Sequence, residues 1–271
     1  MPELPEVETT RAGLTEHVVG YQVSKLVVHQ PSLRWMIPAD MPSYFEGGKI
    51  LSLDRRGKYL LLASDLGTAL IHLGMSGSLR IAPQKEPLRT HDHWQMLFEN
   101  NTCLRYHDPR RFGAFLWAGS KPFEHKLIAS LGPEPLSENF TGEGLYKMSR
   151  GRSLAVKNFI MDSKVVVGVG NIYASEALFA SGIHPNRPAG KVSKARYEIL
   201  AAEIKIVLAK AIESGGSTLR DYVNGSGSPG YFQQQLAVYG REGGSCNNCD
   251  ADIKQIRIGQ RSSFFCGKCQ R

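Results

Sequence analysis

The chain has 271 residues, and 42% of them are hydrophobic, enough to bury a core in one large domain or two ordinary ones. It contains no apolar run of roughly 18 residues, the length that a membrane span requires. Glutamates at positions 3, 6, 8 and 16 occupy the region where a signal peptide is basic and then apolar. We therefore expect a folded cytoplasmic protein without a membrane span or a secretory leader.

Positive charge is in excess and unevenly distributed. Lys and Arg number 33 against 25 Asp and Glu, and the isoelectric point is about 9.3. Residues 1–130 hold 15 basic against 13 acidic side chains, and residues 131–271 hold 18 against 12. A basic surface favours a polyanionic partner, because phosphate neutralisation releases counterions. On charge alone, a basic enzyme with a solvated surface is an equally good interpretation.

The first predicted element is a helix over residues 5–19. Pro5 stands in its first turn, and Glu6 and Glu8 lie beside the positive end of the helix dipole. Gly20 is expected to end the helix.

Residues 21–117 have the short β-branched and aromatic runs of an antiparallel sandwich or barrel, with Gly, Pro and Asn between the runs. His91 and His93 flank Asp92 at alternating positions before Trp94, which indicates a strand more simply than a metal pair. Residues 131–135 are predicted to link two domains. The clearest strand candidates are Val23–His29, Tyr59–Leu62, Ala69–His72 and Phe112–Trp117.

Helical patterns follow the linker. One helix is predicted from Asn171 to Gly182, and a second is capped by Ser193 and ended by Gly215 and Gly216. Residues 214–230 are rich in glycine and serine, a composition that favours a mobile loop.

Four cysteines near the carboxyl end have the spacing C-x2-C-x16-C-x2-C. Two such pairs close a tetrahedron around one ion, and four thiolates predict a single structural Zn²⁺. Residues 253–258 and 262–265 are expected to form a hairpin, with Arg261 at its turn in a position suited to a phosphate. The predicted ligands are Cys246, Cys249, Cys266 and Cys269.

Pro2 follows the initiator methionine, whose removal exposes a secondary amine. An α-amino group has a reference pKa of about 8, against about 10.4 for lysine, so more of it is neutral and nucleophilic at pH 7. The start of the adjacent helix lowers this pKa further by disfavouring positive charge. Glu3 is placed to act as an acid or a base beside the amine.

Five segments in this order resemble the formamidopyrimidine-DNA glycosylase family, and together they span essentially the whole chain. They are Met1–Thr9 (MPELPEVET), His72–Arg80 (HLGMSGSLR), Asp108–Gly113 (DPRRFG), Val166–Glu176 (VVGVGNIYASE) and the cysteine tail.

The resemblance implies an α+β multidomain fold. Residues 1–130 are expected to form a catalytic domain with the amino-terminal helix and an antiparallel β-sandwich. Residues 131–235 are expected to form a helix-two-turn-helix DNA-binding domain with a lesion loop, and residues 236–271 a β-hairpin zinc finger.

The resemblance also implies an active site. Pro2 would attack C1′ of the damaged nucleotide, and Glu3, supported by Glu6, would be the acid that opens the sugar. Lys58 would transfer the proton in β-elimination, and Arg261 would act in δ-elimination.

DNA contacts are implied in the same way. Met75, Arg110 and Phe112 would fill the space that an extruded base leaves. The methionine side chain is flexible, arginine can form hydrogen bonds with the base left unpaired on the opposite strand, and phenylalanine can insert between adjacent base pairs. Residues 217–239 correspond to the loop that closes over 8-oxoguanine. The phosphate contacts would be His91, Arg152, Lys157, Asn171 and Arg261.

The predicted function is excision of oxidised purines and β,δ-elimination at the resulting abasic site, by a monomer acting on double-stranded DNA in the bacterial cytoplasm, at the nucleoid. One alternative is an endonuclease VIII type enzyme for oxidised pyrimidines, although Leu4 stands where that branch typically has glycine. The other is a non-catalytic zinc-finger DNA-binding protein.

Overall fold

A computed structural model describes residues 2–216 and 235–271 of the chain. The chain divides into two compact units, which are described separately below. Unit 1 comprises Met1–Ala129 with Ser214–Gln233, and unit 2 comprises Ser130–Glu213 with Gln234–Arg271. Every helix within residues 2–216 and 235–271 is too short or too polar to span a bilayer.

Unit 1 begins with helix α1 (Leu4–Val18), whose apolar residues Val7, Leu14 and Val18 are buried. The helix starts and ends one residue earlier than predicted. It starts early because Glu3 is its N-cap and donates its backbone N–H to the Glu6 carboxylate at 2.8 Å. Gly20 follows with φ +88, a conformation suited to glycine after a helix end.

Eight strands of unit 1 form two antiparallel sheets. One sheet has the order β1-β6-β7-β5 and the other the order β2-β3-β4-β8. Inward-facing side chains of both sheets and of α1 share one hydrophobic core, in which Trp94 stacks on Phe115 with ring centroids 4.4 Å apart. The strands are β1 (Val23–Val28), β2 (Ile50–Arg56), β3 (Tyr59–Ser64), β4 (Gly67–His72), β5 (Ser78–Pro83), β6 (Asp92–Phe98), β7 (Thr102–His107) and β8 (Ala114–Gly119).

The predicted strand Phe112–Trp117 is wrong at its start, since β8 begins at Ala114. Phe112 and Gly113 belong instead to the loop after β7. The Gly113 N–H donates to the side chain of Asp108 at 2.9 Å and not to a neighbouring strand. The Asp108 side chain thus accepts the hydrogen bond that a neighbouring strand would otherwise accept. Alternation of hydrophobic residues in the sequence does not reveal such an arrangement.

Unit 2 contains four α-helices among its described residues: α2 (Gly142–Ser149), α3 (Val156–Met161), α4 (Asn171–Ala180) and α5 (Lys194–Glu213). The last two confirm the helices expected after the linker. Helix α4 packs against both α3 and α5, and it is buried on nearly all sides. Ser193 accepts the Arg196 N–H at 3.4 Å at the start of α5, and Gly215 and Gly216 follow its end with positive φ.

The predicted hairpin near the carboxyl end is also present. Strands β9 (Ile253–Ile258) and β10 (Arg261–Cys266) pair antiparallel, with Arg261 opposite Ile258 beside the turn. Helix α4 packs against β10, so the hairpin shares a core with the helical part of unit 2.

Asp92 forms a buried polar network at the start of β6. Its carboxylate accepts two hydrogen bonds from Arg80, at 2.8 and 2.6 Å, and one from the Arg89 backbone at 2.9 Å. His107 Nδ1 lies 3.1 Å from the same carboxylate. Burial acts to raise the pKa of Asp92, but these hydrogen bonds and the Arg80 charge outweigh it and lower the pKa to about 2.

A carboxyl group with a lowered pKa stabilises the fold above its unfolded pKa, and this stability is lost as the pH falls through the folded pKa. We expect Asp92→Asn to lower the free energy of unfolding at pH 7 by about 2 kcal/mol. The deficit relative to the parent should shrink between about pH 4 and pH 2, where the parent loses the same contribution. Denaturant titrations across this pH range would measure it.

The exposed Asp54→Asn variant is the matched control and should follow the parent at every pH. A deficit for Asp92→Asn that is the same at pH 7 and at pH 2 would contradict the assigned network.

Candidate functional site

Pro2 and Glu3 lie at the start of α1, and both are buried. The Glu6 carboxylate, only 2% exposed, holds the Glu3 backbone N–H in a capping box. This arrangement fixes the backbone immediately after Pro2 at the positive end of a 15-residue helix. The position combines the backbone nitrogen at a helix start with two buried acidic residues, Glu3 and Glu6, groups suited to acid–base chemistry at a chain terminus.

Lys58 stands in the tight turn between β2 and β3, after Gly57 with φ +58. Arg55 ties this turn to α1, because its guanidinium donates to Glu8 at 2.6 Å and to the Gly57 carbonyl at 3.0 Å. The helix that begins after Pro2 and the turn that carries Lys58 are therefore connected through one arginine. Sequence reasoning missed Arg55, although it stands only three residues before Lys58 in the run RRGK.

His72 is the next polar group beside Lys58. Burial, together with the positive charges of Lys58 and Arg34, lowers the pKa of His72 to about 4, so its ring is neutral at physiological pH. The Gly74 N–H donates to His72 Nδ1 at 3.0 Å, which places the ring proton on Nε2. The Tyr59 ring lies 4.8 Å from the imidazole. His72 thus links the Lys58 turn to the loop that follows β4.

Met75, Arg110 and Phe112 come together on two adjacent loops of unit 1. Met75 lies between β4 and β5 and is 39% exposed, and Phe112 lies between β7 and β8 and is 44% exposed. The Arg110 guanidinium sits 4.9 Å above the Phe112 ring. An arginine and two large apolar side chains thus project from neighbouring loops, a composition suited to insertion between stacked bases.

His91, half-buried just before β6, packs edge-on against His107 with ring centroids 5.8 Å apart. His107 is in turn held by the Asp92 carboxylate. His93 lies in β6, which confirms the strand interpretation of the alternating histidines, and its Nε2 lies 2.7 Å from the Asp108 carbonyl oxygen. Among the described residues, the one group of three or more potential metal ligands is the cysteine cluster.

Lys157 and Asn171 meet at one backbone carbonyl in unit 2, that of the residue after Arg261. Lys157 is only 1% exposed, and its ammonium donates to the Ser263 hydroxyl at 2.8 Å and to the Ser262 carbonyl at 3.1 Å. Asn171 Nδ2 donates to the same Ser262 carbonyl at 3.1 Å. Arg261, the residue before Ser262, is exposed. Helices α3 and α4 are thus joined to the β9–β10 hairpin at Ser262, the residue that follows Arg261.

Arg152 is exposed in the loop between α2 and α3. Its backbone is fixed, because its N–H donates to Ser149 at 3.0 Å and its carbonyl accepts from Gly190 at 2.8 Å. The predicted contacts therefore divide between the units, with Arg152, Lys157, Asn171 and Arg261 in unit 2 and the other sites, apart from the cysteines, in unit 1.

Glu176 is a further structural polar group that sequence reasoning missed. Its carboxylate lies inside apolar helix α4 and accepts the backbone N–H groups of Ala237, Val238 and Tyr239 at 2.8, 3.0 and 2.8 Å. Burial raises the pKa of Glu176, and the three N–H donors oppose that rise. A lone acidic residue within the run ASEALFA is the signal that points to such a role.

These three hydrogen bonds anchor the end of the segment interpreted as a lesion loop. Of that segment, residues 217–234 lie outside the part of the chain that the structure describes. Tyr239, its last residue, accepts a hydrogen bond from Asn171 at 3.3 Å and packs edge-on against Phe264.

The four cysteines of the tail converge as predicted. Their sulfur atoms all lie within 4.8 Å of one another, with Cys246 3.9 Å from Cys269 and Cys249 3.5 Å from Cys266. A disulfide has an S–S distance of about 2.05 Å, so these are free thiols.

Their spacing fits a zinc ion. Tetrahedral Zn–S bonds of about 2.3 Å separate the sulfur atoms by about 3.8 Å. Backbone N–H groups of Asn248 and Cys269 point at Cys246 and Cys266, each at 3.5 Å, as expected around thiolates. The four residues are positioned to hold one structural Zn²⁺, with no open position for catalysis.

Three family profiles match consecutive parts of the chain. The formamidopyrimidine-DNA glycosylase N-terminal domain matches residues 1–115, and the formamidopyrimidine-DNA glycosylase H2TH domain matches residues 131–223. The zinc finger found in FPG and IleRS matches residues 243–271.

Similar proteins extend over the full chain. Formamidopyrimidine-DNA glycosylases of Stutzerimonas stutzeri and Methylococcus capsulatus are 58% and 55% identical to it over 271 residues, covering 100% of each protein. The crystal structure of Thermus thermophilus MutM (Fpg) is similar with a TM-score of 0.89 and 39% identity, covering 99% of this chain and 98% of that one.

A Lactococcus lactis Fpg variant in complex with Fapy-dG DNA is similar with a TM-score of 0.93 and 33% identity, covering 100% of both chains. Lactococcus lactis Fpg in complex with abasic-site DNA gives a TM-score of 0.92 and 32% identity, covering 99% of each. The chain described here therefore belongs to the formamidopyrimidine-DNA glycosylase family.

Proposed function

We propose that this protein is a bifunctional DNA glycosylase and AP lyase that removes 8-oxoguanine and formamidopyrimidine bases from duplex DNA. The observation that carries the proposal is the buried pair Pro2 and Glu3 at the capped start of α1. The Lactococcus lactis relatives in complex with Fapy-dG and abasic-site DNA support the same class of substrate here.

Removal of Met1 gives Pro2 a secondary amine, which attacks C1′ of the everted nucleotide. The N–C1′ bond forms as the glycosidic bond breaks, and the damaged base leaves with the proton that the amine nitrogen loses. Glu3 donates a proton to the sugar ring oxygen, the ring opens, and an iminium joins Pro2 to the sugar. The dipole of α1 favours the neutral amine before attack, because a positive charge at the helix start is disfavoured.

The iminium withdraws electrons from the sugar and acidifies the hydrogen at C2′. Loss of that proton expels the 3′ phosphate, and a second elimination expels the 5′ phosphate. We assign proton transfer in the first elimination to Lys58 and a role in the second to Arg261, following their match to the family motifs. The Arg55 contact that holds the Gly57 carbonyl supports a fixed position for Lys58.

Base extrusion costs a few kcal/mol of stacking and pairing, which side chains entering the duplex offset. The exposure of Met75 and Phe112 and the proximity of Arg110 to the Phe112 ring support this role for the three residues. His91, Arg152, Lys157 and Asn171, together with Arg261, are proposed to bind backbone phosphates, most of them from the more basic half of the chain.

We further propose the domain boundaries 1–130, 131–235 and 236–271, and action as a monomer on nucleoid DNA in the bacterial cytoplasm.

Purine selectivity is also part of the proposal, because Leu4 differs from the glycine of the pyrimidine-specific branch. Parallel excision assays on 8-oxoguanine and thymine glycol duplexes test it, and faster cleavage of thymine glycol would contradict it.

Borohydride trapping tests the nucleophile. Borohydride reduces the iminium, so the parent protein should form a covalent adduct with an 8-oxoguanine duplex. We expect Pro2→Gly to lower base excision by several orders of magnitude, because the secondary amine is lost. Gel shift of the trapped complex and intact-mass analysis provide the readout.

A chain whose initiator methionine is retained is the matched control for this experiment. It should bind the duplex and yet form no adduct, because the Pro2 nitrogen is then part of a peptide bond. Normal excision by that form would refute Pro2 as the nucleophile.

Lys157→Met tests the proposed phosphate contact. For duplex DNA, the logarithm of the binding constant falls linearly with the logarithm of the salt concentration, and each neutralised phosphate adds about 0.9 to the steepness of this slope. We expect the variant to bind all duplexes more weakly and to reduce the slope by about one. Titrations of DNA binding at several salt concentrations measure both effects.

Lys205→Met is the matched control, because the Lys205 ammonium also donates to a backbone carbonyl of unit 2, that of Ser137 at 2.8 Å. Its salt slope should equal that of the parent. An unchanged slope in Lys157→Met would remove Lys157 from the set of phosphate contacts.

Cys246→Ser tests the metal site. We expect the variant to lose its zinc, the order of the β9–β10 hairpin and affinity for DNA, because so small a segment relies on its ion for stability. Elemental analysis and hydrogen exchange of the hairpin amides measure the effect. Cys103→Ser, at a buried cysteine of unit 1, should keep one zinc per chain. Full zinc content in Cys246→Ser would contradict the site.

A further inference from the structure

A single buried carboxylate, that of Asp108, joins the two loops of unit 1 that carry Met75 and Phe112. The Asp108 side chain has no exposed surface. Its Oδ1 accepts the Ser76 hydroxyl at 2.6 Å, and its Oδ2 accepts the Tyr106 hydroxyl at 3.0 Å and the Gly113 N–H at 2.9 Å. Donors from both loops and from strand β7 therefore converge on one acidic group.

Ser76 is the direct connection between the loops. Its hydroxyl donates to Asp108, and the same oxygen accepts the Arg110 backbone N–H at 3.2 Å. The Arg110 N–H is also 3.3 Å from Asp108 Oδ1. The residue after Met75 thus holds the backbone of Arg110 through its side chain, although the two positions are 34 residues apart in the sequence.

The two backbones are in close contact at the same place. A Cβ added at Gly74, which has φ +65, would lie 2.4 Å from the carbonyl carbon of Phe112. A Cβ added at Gly113 would lie 1.7 Å from the Tyr106 hydroxyl oxygen. No side chain fits at either position, so glycine allows the loops to pack directly against each other and around the Asp108 hydrogen bonds.

We propose that Ser76 and Asp108 are positioning residues that lock the Met75 loop to the Arg110–Phe112 loop, so that the three side chains enter the base stack as one unit. This inference rests on the proposed function. Loops that are ordered before DNA binds do not have to lose their conformational entropy when the base leaves the stack. The binding energy of the three side chains then offsets the unstacking cost more fully.

The chemistry of the donors favours a positioning role. Burial and the adjacent carboxylate raise the pKa of Tyr106 above its usual range, so its hydroxyl remains a donor at all physiological pH values. A carboxylate in this place satisfies two hydroxyl groups and two backbone N–H groups at once, which no neutral side chain of the same size can do. The backbone contacts hold Arg110 itself and Gly113, the residue after Phe112.

The experiment compares Ser76→Ala with the parent and with Ser64→Ala. Ser64 has the same 5% exposure, belongs to the same unit, and donates to the backbone carbonyls of Tyr44 and Gly67, at 3.2 and 3.3 Å. Two substrates are used, an 8-oxoguanine duplex and a single strand that carries an abasic site. The single strand requires the lyase chemistry but contains no base stack to fill.

We expect Ser76→Ala to lower kcat/KM on the duplex about tenfold, the effect of one lost buried hydrogen bond. Its rate of β-elimination on the single strand should equal that of the parent, and Ser64→Ala should match the parent on both substrates. Hydrogen exchange at the Arg110 amide should accelerate in Ser76→Ala and not in Ser64→Ala, a local readout that does not depend on activity.

An unchanged duplex rate with accelerated exchange at Arg110, or an equal loss on both substrates, would overturn the positioning role. A failure of the proposed function looks different. In that case the parent itself would form no adduct and cleave neither substrate, and both proposals would fall together.

Discussion

The hydrogen bond from the Glu3 backbone N–H to the Glu6 carboxylate, 2.8 Å long, is the contact on which the proposed chemistry depends. It defines where α1 begins and so fixes the direction of the chain immediately after Pro2. The buried side of the helix, which includes Val7, Leu14 and Val18, packs into the core that both sheets share. A chain end is ordinarily frayed. Here its position is set by a capped helix anchored along its length.

The same principle recurs elsewhere in the molecule, because buried polar groups hold the loops that carry the proposed DNA contacts. Arg55 joins the Lys58 turn to α1, Asp108 joins the loops around Arg110, and Glu176 holds residues 237–239. Each group satisfies backbone donors or acceptors that a regular strand or helix would otherwise pair. The scaffold thereby presents irregular segments in defined conformations, as a site that must contact a distorted duplex requires.

Sequence patterns predicted most of the long regular elements, missed helices α2 and α3 and described the irregular segments poorly. Helix α1, helices α4 and α5, the hairpin and the cysteine cluster follow from periodicity, capping and spacing, which are local signals. The apolar run predicts a strand that includes Phe112 and Gly113, whereas in the structure the Gly113 N–H donates to Asp108 and not to a neighbouring strand. The most distant hydrogen-bond partner of Arg55 is 47 residues away in the sequence, and that of Glu176 is 63 residues away. Local sequence patterns therefore do not reveal these contacts.

The central claim is that the nitrogen of Pro2 becomes bonded to the damaged sugar. Peptide mapping by tandem mass spectrometry of the borohydride-reduced complex tests it most directly. Trypsin should release the peptide of residues 2–11, which ends at Arg11, carrying the reduced sugar remnant on its first residue. Finding the remnant on Lys58 or on any other lysine, with the peptide of residues 2–11 unmodified, would contradict the claim.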